Sequence, residues 1–402
     1  MRGFAPMYLL SYEGRATITS VRPCPALFAK VWARAYTRMS GWWSWKSFES
    51  IHGSDPMDGL TEKIDLKNLA PTELQQWLAS SGKERYRSVQ ILRWLFKKGV
   101  HSPVQMTNLS NKFRQELDRI SRVSRLLCVR TQRAQDHTRK FLLELEDGNR
   151  IESVLIPDGD RLTLCLSTQV GCALGCRFCL TGQKGWIRDL LTSEIVNQIL
   201  TVRETLRENE AITNIVLMGM GEPLANYENT LRAIELMKHP DAFKFSYRKI
   251  TLSTVGLLPQ LEQVSKGPIH FRLALSLNAA DDDTRSHIMP VNRRYTKKKV
   301  LEACRKFPLR PRDRITFEYV LLEGVNDSPQ DAKRLVKLLR SIPSKVNLIP
   351  LNEAPEIPFK RPPEEKVRLF QEIIMGGGLM AIVRASKGGE ISAACGQLQA
   401  DG

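Results

Sequence analysis

The sequence is short of long apolar runs, of acid and of evenly spread cysteine. No stretch approaches the roughly 18 consecutive apolar residues of a spanning helix, which argues against a membrane protein. The opening residues lack the compact charged, apolar and small-residue order of a secretory leader. Acidic residues number 43 against 60 Lys and Arg, a formal net charge of +17. Disordered and fibrous classes are excluded, because 42% hydrophobic and 26% charged residues are close to the globular average. At about 150 residues per domain, 402 residues make two or three units able to bury a sizeable core.

The shortage of acid is a property of the body of the chain. Before Met57 there are seven basic and three acidic residues, so the remainder still carries +13. A surplus spread over a folded body favours a polyanion, most simply nucleic acid, although a generically soluble basic protein has the same balance. The eight cysteines are uneven too. Cys165, Cys172, Cys176 and Cys179 fall within fifteen residues, whereas Cys24, Cys128, Cys304 and Cys395 stand alone. Such a cluster in a large chain without a secretory leader points to a metal site in a reducing compartment, here the cytoplasm.

Residues 1–60 show no clear period and read as an unmatched basic leader without chemistry, disordered or produced by a mis-assigned start, since Met57-Asp58-Gly59 opens onto a regular pattern. Residues 61–130 carry apolar positions at helical spacing. Helices are expected from Pro71, over 88–98, and after a cap at Asn108-Leu109-Ser110. Arg85, Arg87, Arg93, Lys97, Lys98, Lys112, Arg114, Arg119, Arg122 and Arg125 stud this segment, which fits an RNA-binding helical domain as well as ordinary solvated helix faces. Residues 131–160 read as a β-hairpin connector, with Asp147-Gly148-Asn149 and Asp158-Gly159-Asp160 as turns.

From 161 to 402 strands alternate with helices. Strands are expected over 162–167, 212–218, 249–253, 271–276, 315–321, 346–349 and 381–384, and helices over 193–206, 227–237, 298–306, 329–339 and 364–374. Alternation demands a parallel sheet with crossover helices, either an open doubly wound sheet or an incomplete barrel. In both, ligands sit at the C-terminal strand ends. Cys172-x3-Cys176-x2-Cys179 follows the first of these strands. Three thiolates on one tight loop grip a metal. Zinc wants four closed ligands, for which Cys165 is the nearby fourth; a cubane iron–sulfur cluster held by three leaves one iron open.

That spacing after the first strand of a βα array is the signature of the radical S-adenosylmethionine enzymes. The surrounding words are Ser167-Thr168-Gln169-Val170-Gly171-Cys172-Ala173-Leu174-Gly175-Cys176-Arg177-Phe178-Cys179 and Gly219-Met220-Gly221-Glu222-Pro223-Leu224. With Leu252-Ser253-Thr254-Val255-Gly256, Ser276-Leu277-Asn278-Ala279, Met289-Pro290-Val291-Asn292-Arg293-Arg294-Tyr295 and Ala394-Cys395-Gly396-Gln397-Leu398, they resemble the RlmN/Cfr family of RNA adenine methyltransferases. The resemblance runs from about Lys63 to Leu398. It implies an α/β fold: a partial (β/α)6 TIM-like barrel with a small N-terminal helical domain and a C-terminal segment bearing a methyl-carrying cysteine. It implies a 4Fe–4S cluster on Cys172, Cys176 and Cys179, and two molecules of S-adenosylmethionine per turnover.

Carbon 2 of adenine lies between two ring nitrogens and is too electron-poor to attack a methyl group, so the methyl carbon itself must attack, as a radical. The resemblance implies that Cys395 carries the methyl, that Cys165 resolves the protein–RNA thioether through a transient disulfide, and that Glu152 accepts the C2 proton. Taken alone, Cys395 would read as an inert packed thiol, Cys165 as a core residue and Glu152 as a solvated strand-edge acid. The same resemblance places S-adenosylmethionine on Gly221, Glu222, Ser253, Ser276, Leu277, Asn278 and Asn352, successive strand ends on one rim. Arg293 and Arg294 would meet RNA phosphates, with the target base flipped into the barrel mouth. The partners so implied are 23S rRNA at its peptidyl-transferase adenosine, tRNA at the adenosine 3′ of the anticodon, and an electron donor such as flavodoxin or ferredoxin; the chain would be a monomer. Methylation at adenine C8, as in the Cfr branch, and a non-catalytic iron–sulfur RNA-binding scaffold are the alternatives.

Overall fold

The computed structural model describes residues 63–400, so the 1–60 leader lies outside it. The N-terminal part opens with a two-residue strand β1 (Ile64–Asp65), then α1 (Pro71–Ser80), α2 (Arg87–Leu92) and α3 (Asn111–Ile120). Each start has a local cause. Pro71 takes the first helical position, where its missing N–H is harmless, and the Glu73 carboxylate accepts the Ala70 N–H at 2.8 Å. Ser110 caps α3 by accepting the Phe113 N–H. The expected second helix is α2 continued by a wider π turn, Arg93–Lys98, stopped at Gly99 with φ +70°. Strand β2 (Ser121–Arg122) pairs with β1.

The main sheet has ten strands, in the order β14-β13-β12-β11-β10-β9-β6-β5-β4-β3. Strands β3 (Leu127–Arg133), β4 (Arg139–Glu144) and β5 (Arg150–Asp158) pair antiparallel, and β5 pairs antiparallel with β6 (Arg161–Cys165). The connector expected over 131–160 is therefore no separate hairpin but three strands extending the barrel sheet, and β3 starts inside the span assigned to the helical domain. From β6 onward β9 (Asn214–Leu217), β10 (Ile250–Thr254), β11 (Arg272–Ser276), β12 (Ile315–Leu321), β13 (Ser344–Pro350) and β14 (Met380–Val383) all run parallel. That is seven parallel strands, matching the seven spans expected from the sequence, with the short β14 at the edge adding one to the six of a (β/α)6 barrel. The crossovers are α5 (Thr192–Glu204), α6 (Tyr227–Lys238), α7 (Leu258–Ser265), α8 (Asp282–Ile288) with α9 (Lys297–Lys306), α10 (Pro329–Leu339) and α11 (Glu364–Gly376). After β6, β7 (Gln169–Gly171) and β8 (Trp186–Asp189) form a small antiparallel pair around α4 (Leu180–Gln183).

Burial shows which face of the sheet is hollow. On β12, Ile315, Phe317, Tyr319 and Leu321 are 0% exposed beneath the helices, while Thr316, Glu318 and Val320 keep 7–8%. On β13 the alternation is sharper, with Lys345, Asn347 and Ile349 half-buried between fully buried neighbours. A curved sheet with helices outside and an incompletely filled inner face has this pattern. Because edges β14 and β3 do not pair, the barrel is open. The helical part docks on α5: the buried Lys67 ammonium reaches Asn197 Oδ1 at 2.7 Å, and Ser193 N–H donates to Asn68. No helix among the described residues is long and apolar enough to cross a membrane.

Candidate active site

Strand β7 delivers the chain into the cysteine loop at the C-terminal rim. The loop is pinned by Cys172 N–H to Gly185 O (2.7 Å) and by Arg177 N–H to Ile288 O (3.0 Å) on α8. Burial pushes the Cys172 thiol up to about 12, and the thiols of Cys176 and Cys179 are raised by the same cause. Cys179 and Cys172 raise Cys176 further. Three crowded, desolvated thiols resist ionisation on their own and are stabilised as thiolates by a metal centre. Among the described residues no three His, Cys, Asp or Glu side chains converge on a single-ion spacing. A three-cysteine loop of this span suits a cubane cluster rather than one zinc.

Next to the loop, Gly221 has φ +97°, and a Cβ there would lie 2.6 Å from Gln169 Cβ, so only glycine lets the two strand ends close. Glu222, 3% exposed, accepts N–H groups from Leu224 (3.1 Å) and Val255 (3.0 Å). Burial raises its carboxyl to about 7. A buried carboxylate at a strand end is suited to an ammonium group. Ser253 and Ser276 lie half-buried on the inner face of β10 and β11. Leu277 and Asn278 are different. The Leu277 side chain is fully buried in the core. The Asn278 side chain accepts from Val320 N–H (2.9 Å) and donates to Met289 Sδ, and its backbone is engaged too, N–H to Glu318 O (3.3 Å) and C=O from Asn326 Nδ2 (2.7 Å). Asn352 donates to Cys395 O at 3.0 Å and accepts from Ser386, so its amide holds the C-terminal segment.

That segment lies across the barrel mouth as a strap. Gly396 O accepts from Leu180 N–H (2.8 Å), Leu398 O from Thr181 Oγ1 (2.5 Å), and Gln399 O from Lys184 Nζ (3.0 Å). On the other side Glu152 Oε2 accepts the N–H groups of Gln399 (2.8 Å) and Ala400 (3.1 Å). Its second oxygen pairs with Lys140 at 2.9 Å, and both side chains are buried. Glu152 is therefore no solvated strand-edge acid; it is fixed between a strand and the tail. Cys395 is reachable by solvent, yet desolvation by the surrounding protein pushes its thiol up to about 12. Cys179, Glu318, Cys165 and Arg384 are the groups whose charge acts on it. Cys165, at the end of β6, is buried and also raised to about 12. The structure thus brings Cys395, Cys165 and the cluster loop to one place.

The lumen holds residues that the sequence reading missed. Glu318 Oε1 accepts from Asn347 Nδ2 at 3.0 Å, in the register row Ser276–Glu318–Asn347 across three strands. Burial raises its carboxyl to about 7, against the pull of Asn347, Arg384 and Lys345. The available signal was a glutamate in the otherwise apolar run Ile315–Leu321.

Residues 166–338 match the family model for the Radical SAM superfamily. With the three-thiol loop at the mouth of an open barrel, the match sets the class: a radical S-adenosylmethionine enzyme. Residues 64–123 match the ribosomal RNA large subunit methyltransferase N-terminal domain. The chain is 49% identical over 338 residues to the dual-specificity RNA methyltransferase RlmN of Geotalea uraniireducens, covering 84% of this chain and 97% of that one. Its counterpart in Syntrophobacter fumaroxidans is 47% identical over 341 residues, covering 85% and 99%. A crystal structure of a radical SAM methyltransferase from Sphaerobacter thermophilus superposes with a TM-score of 0.78 at 42% identity, covering 84% of this chain and 100% of that one. The chain belongs to the RlmN family. Its cofactors are a 4Fe–4S cluster and S-adenosylmethionine.

Proposed function

We propose that the chain methylates carbon 2 of adenine in RNA: in 23S rRNA at the peptidyl-transferase centre, and in tRNA at the adenosine 3′ of the anticodon. The observation that carries this reading is the strap that bears Cys395, hydrogen-bonded to the end of the cluster loop through Leu180 N–H to Gly396 O (2.8 Å) and Thr181 Oγ1 to Leu398 O (2.5 Å). When bound, the cluster and S-adenosylmethionine supply a carbon radical able to act on an S-methyl group. The chain's own residues do the rest. Cys172, Cys176 and Cys179 hold the cluster; Glu222, Gly221, Ser253, Ser276, Leu277 and Asn278 line the site for the methionyl and ribose parts, with Asn352 beside them. Cys395 carries the methyl group to the base. The Cys165 thiolate then attacks the Cys395 sulfur, and the bond from that sulfur to the methylene carbon breaks with its electron pair left on the carbon. That carbon takes up a proton and becomes the methyl group of the base. The Cys165–Cys395 disulfide that remains is reduced by a two-electron (dithiol-type) reductant before the next turnover. Both thiols are held protonated by burial, and a cation in the lumen would lower them. Glu152 takes the C2 proton once the strap releases its hold on the carboxylate.

Six basic residues of the helical domain, Arg85, Lys97, Lys98, Lys112, Arg119 and Arg125, are exposed and suit RNA phosphates, as do the exposed Arg293 and Arg294. Arg87, Arg93 and Arg122 are instead paired with Glu84, Asp241 and Glu146. A flavodoxin or ferredoxin as electron donor, a monomeric state and a cytoplasmic location belong to this reading. Its test is covalent trapping in the cluster-loaded enzyme with RNA. Cys165→Ala should accumulate protein–RNA adduct, and Cys395→Ala should form none. Free RNA throughout with Cys165→Ala would remove the resolving role, normal product from both variants would remove both cysteine roles, and neither adduct nor methylated RNA from the wild-type chain would favour the non-catalytic scaffold.

A further inference from the structure

Arg285 has no part in the chemistry above, yet it is the bulkiest fully buried side chain among the described residues, 0% exposed on α8. Its guanidinium is saturated by neutral oxygens. Nε donates to Leu277 O (3.0 Å), Nη1 to Asn292 Oδ1 (2.8 Å) and Tyr295 O (3.4 Å), and Nη2 to Val255 O (2.9 Å) and Ser276 O (3.3 Å). The carboxylate that acts on it, Asp282, is paired with Lys297 at 3.9 Å. Burial lowers Arg285 to about 10. The loop bearing Cys176 packs on the same helix: Arg177 N–H reaches Ile288 O at 3.0 Å, and its guanidinium meets His287 at 3.1 Å.

A buried cation without an anion costs several kcal/mol. The chain's carboxylates do not supply that anion, whereas three thiolates around a cluster carry net negative charge that grows on reduction. We propose that Arg285 is the fixed countercharge of the cluster: a positioning residue that favours the reduced state and clamps the β10 and β11 ends lining the S-adenosylmethionine site. Its hydrogen bonds to Val255, Ser276 and Leu277 serve the clamp; its charge serves the reduction potential. The inference rests on the cofactor and is independent of which RNA is methylated.

The two roles separate in a potentiometric titration of the cluster-loaded full chain, followed by electron paramagnetic resonance without S-adenosylmethionine. Arg285→Met removes charge and clamp, and Arg285→Lys removes most of the clamp alone. Both should lower the melting temperature. At the wild-type midpoint the Met variant should hold about tenfold less reduced relative to oxidised cluster, a fall of about 59 mV for one electron, while the Lys variant should stay near wild type. The double exchange Asp282→Asn/Asn292→Asp moves a carboxylate onto Nη1 with little change of shape, and should lower the midpoint in the same direction. This exchange decides the matter if the Met variant fails to load iron. Equal shifts in the Met and Lys variants, or an unmoved midpoint in both the Met variant and the exchange, would reduce Arg285 to a structural clamp.

Discussion

Glu318 shows how a single buried carboxyl couples the lumen to pH. Burial raises it to about 7, so the folded chain keeps a proton that the unfolded chain gives up at ordinary carboxyl pKa. The stability this lends is complete below the unfolded value and is lost as pH rises through about 7. Each tenfold difference in proton affinity between the folded and unfolded chain is worth about 1.4 kcal/mol. The cofactor-free protein should therefore lose melting temperature between pH 5 and 7, and Glu318→Gln should flatten part of that slope, Glu222 accounting for more. A melting series in which the variant keeps the full slope would contradict the assignment. At this scale the thiol loop was legible because three cysteines at fixed spacing announce themselves. Glu318 and Arg285 were not, since one sits in an apolar strand and the other in the polar string Asp281-Asp282-Asp283-Thr284-Arg285, and only the fold buries them.

The element that matters most is the C-terminal strap. Gly396 follows Cys395, the proposed methyl carrier, with φ +87°, and a Cβ there would lie 3.0 Å from Phe178 O. Gly396→Ala adds strain of about 1–3 kcal/mol in the segment that aims Cys395. RNA methylation should fall roughly 10- to 100-fold, while release of 5′-deoxyadenosine persists, so the ratio of the two products reports the misalignment. An unchanged ratio would mean that the strap is not what positions the thiol. The longer elements were readable from periodicity: α10 falls on the expected 329–339 and β12 on 315–321. The pair β7–β8 was not, because strands of three and four residues carry no period. The antiparallel strands β3–β5 were seen as a hairpin, and the Asp158-Gly159-Asp160 turn joins β5 to β6; their merger with the barrel depends on the non-local parallel pairing of β6 with β9, which no local pattern encodes.

At the scale of the molecule, the charge surplus, the docked helical part and the open lumen fit the proposed function, in which a polyanion's base is brought to the Cys395 thiol. The helical part is tied to the barrel through the buried Lys67, so RNA held on one is held in register with the other. The central claim is methyl transfer to adenine carbon 2. It is tested most directly by incubating the cluster-loaded protein anaerobically with S-adenosylmethionine, a reductant and a 23S rRNA fragment, then digesting the RNA to nucleosides. The account predicts 2-methyladenosine, identified by mass and retention. The appearance of 8-methyladenosine instead would contradict it, and 5′-deoxyadenosine without methylated RNA would leave a radical enzyme acting on another substrate.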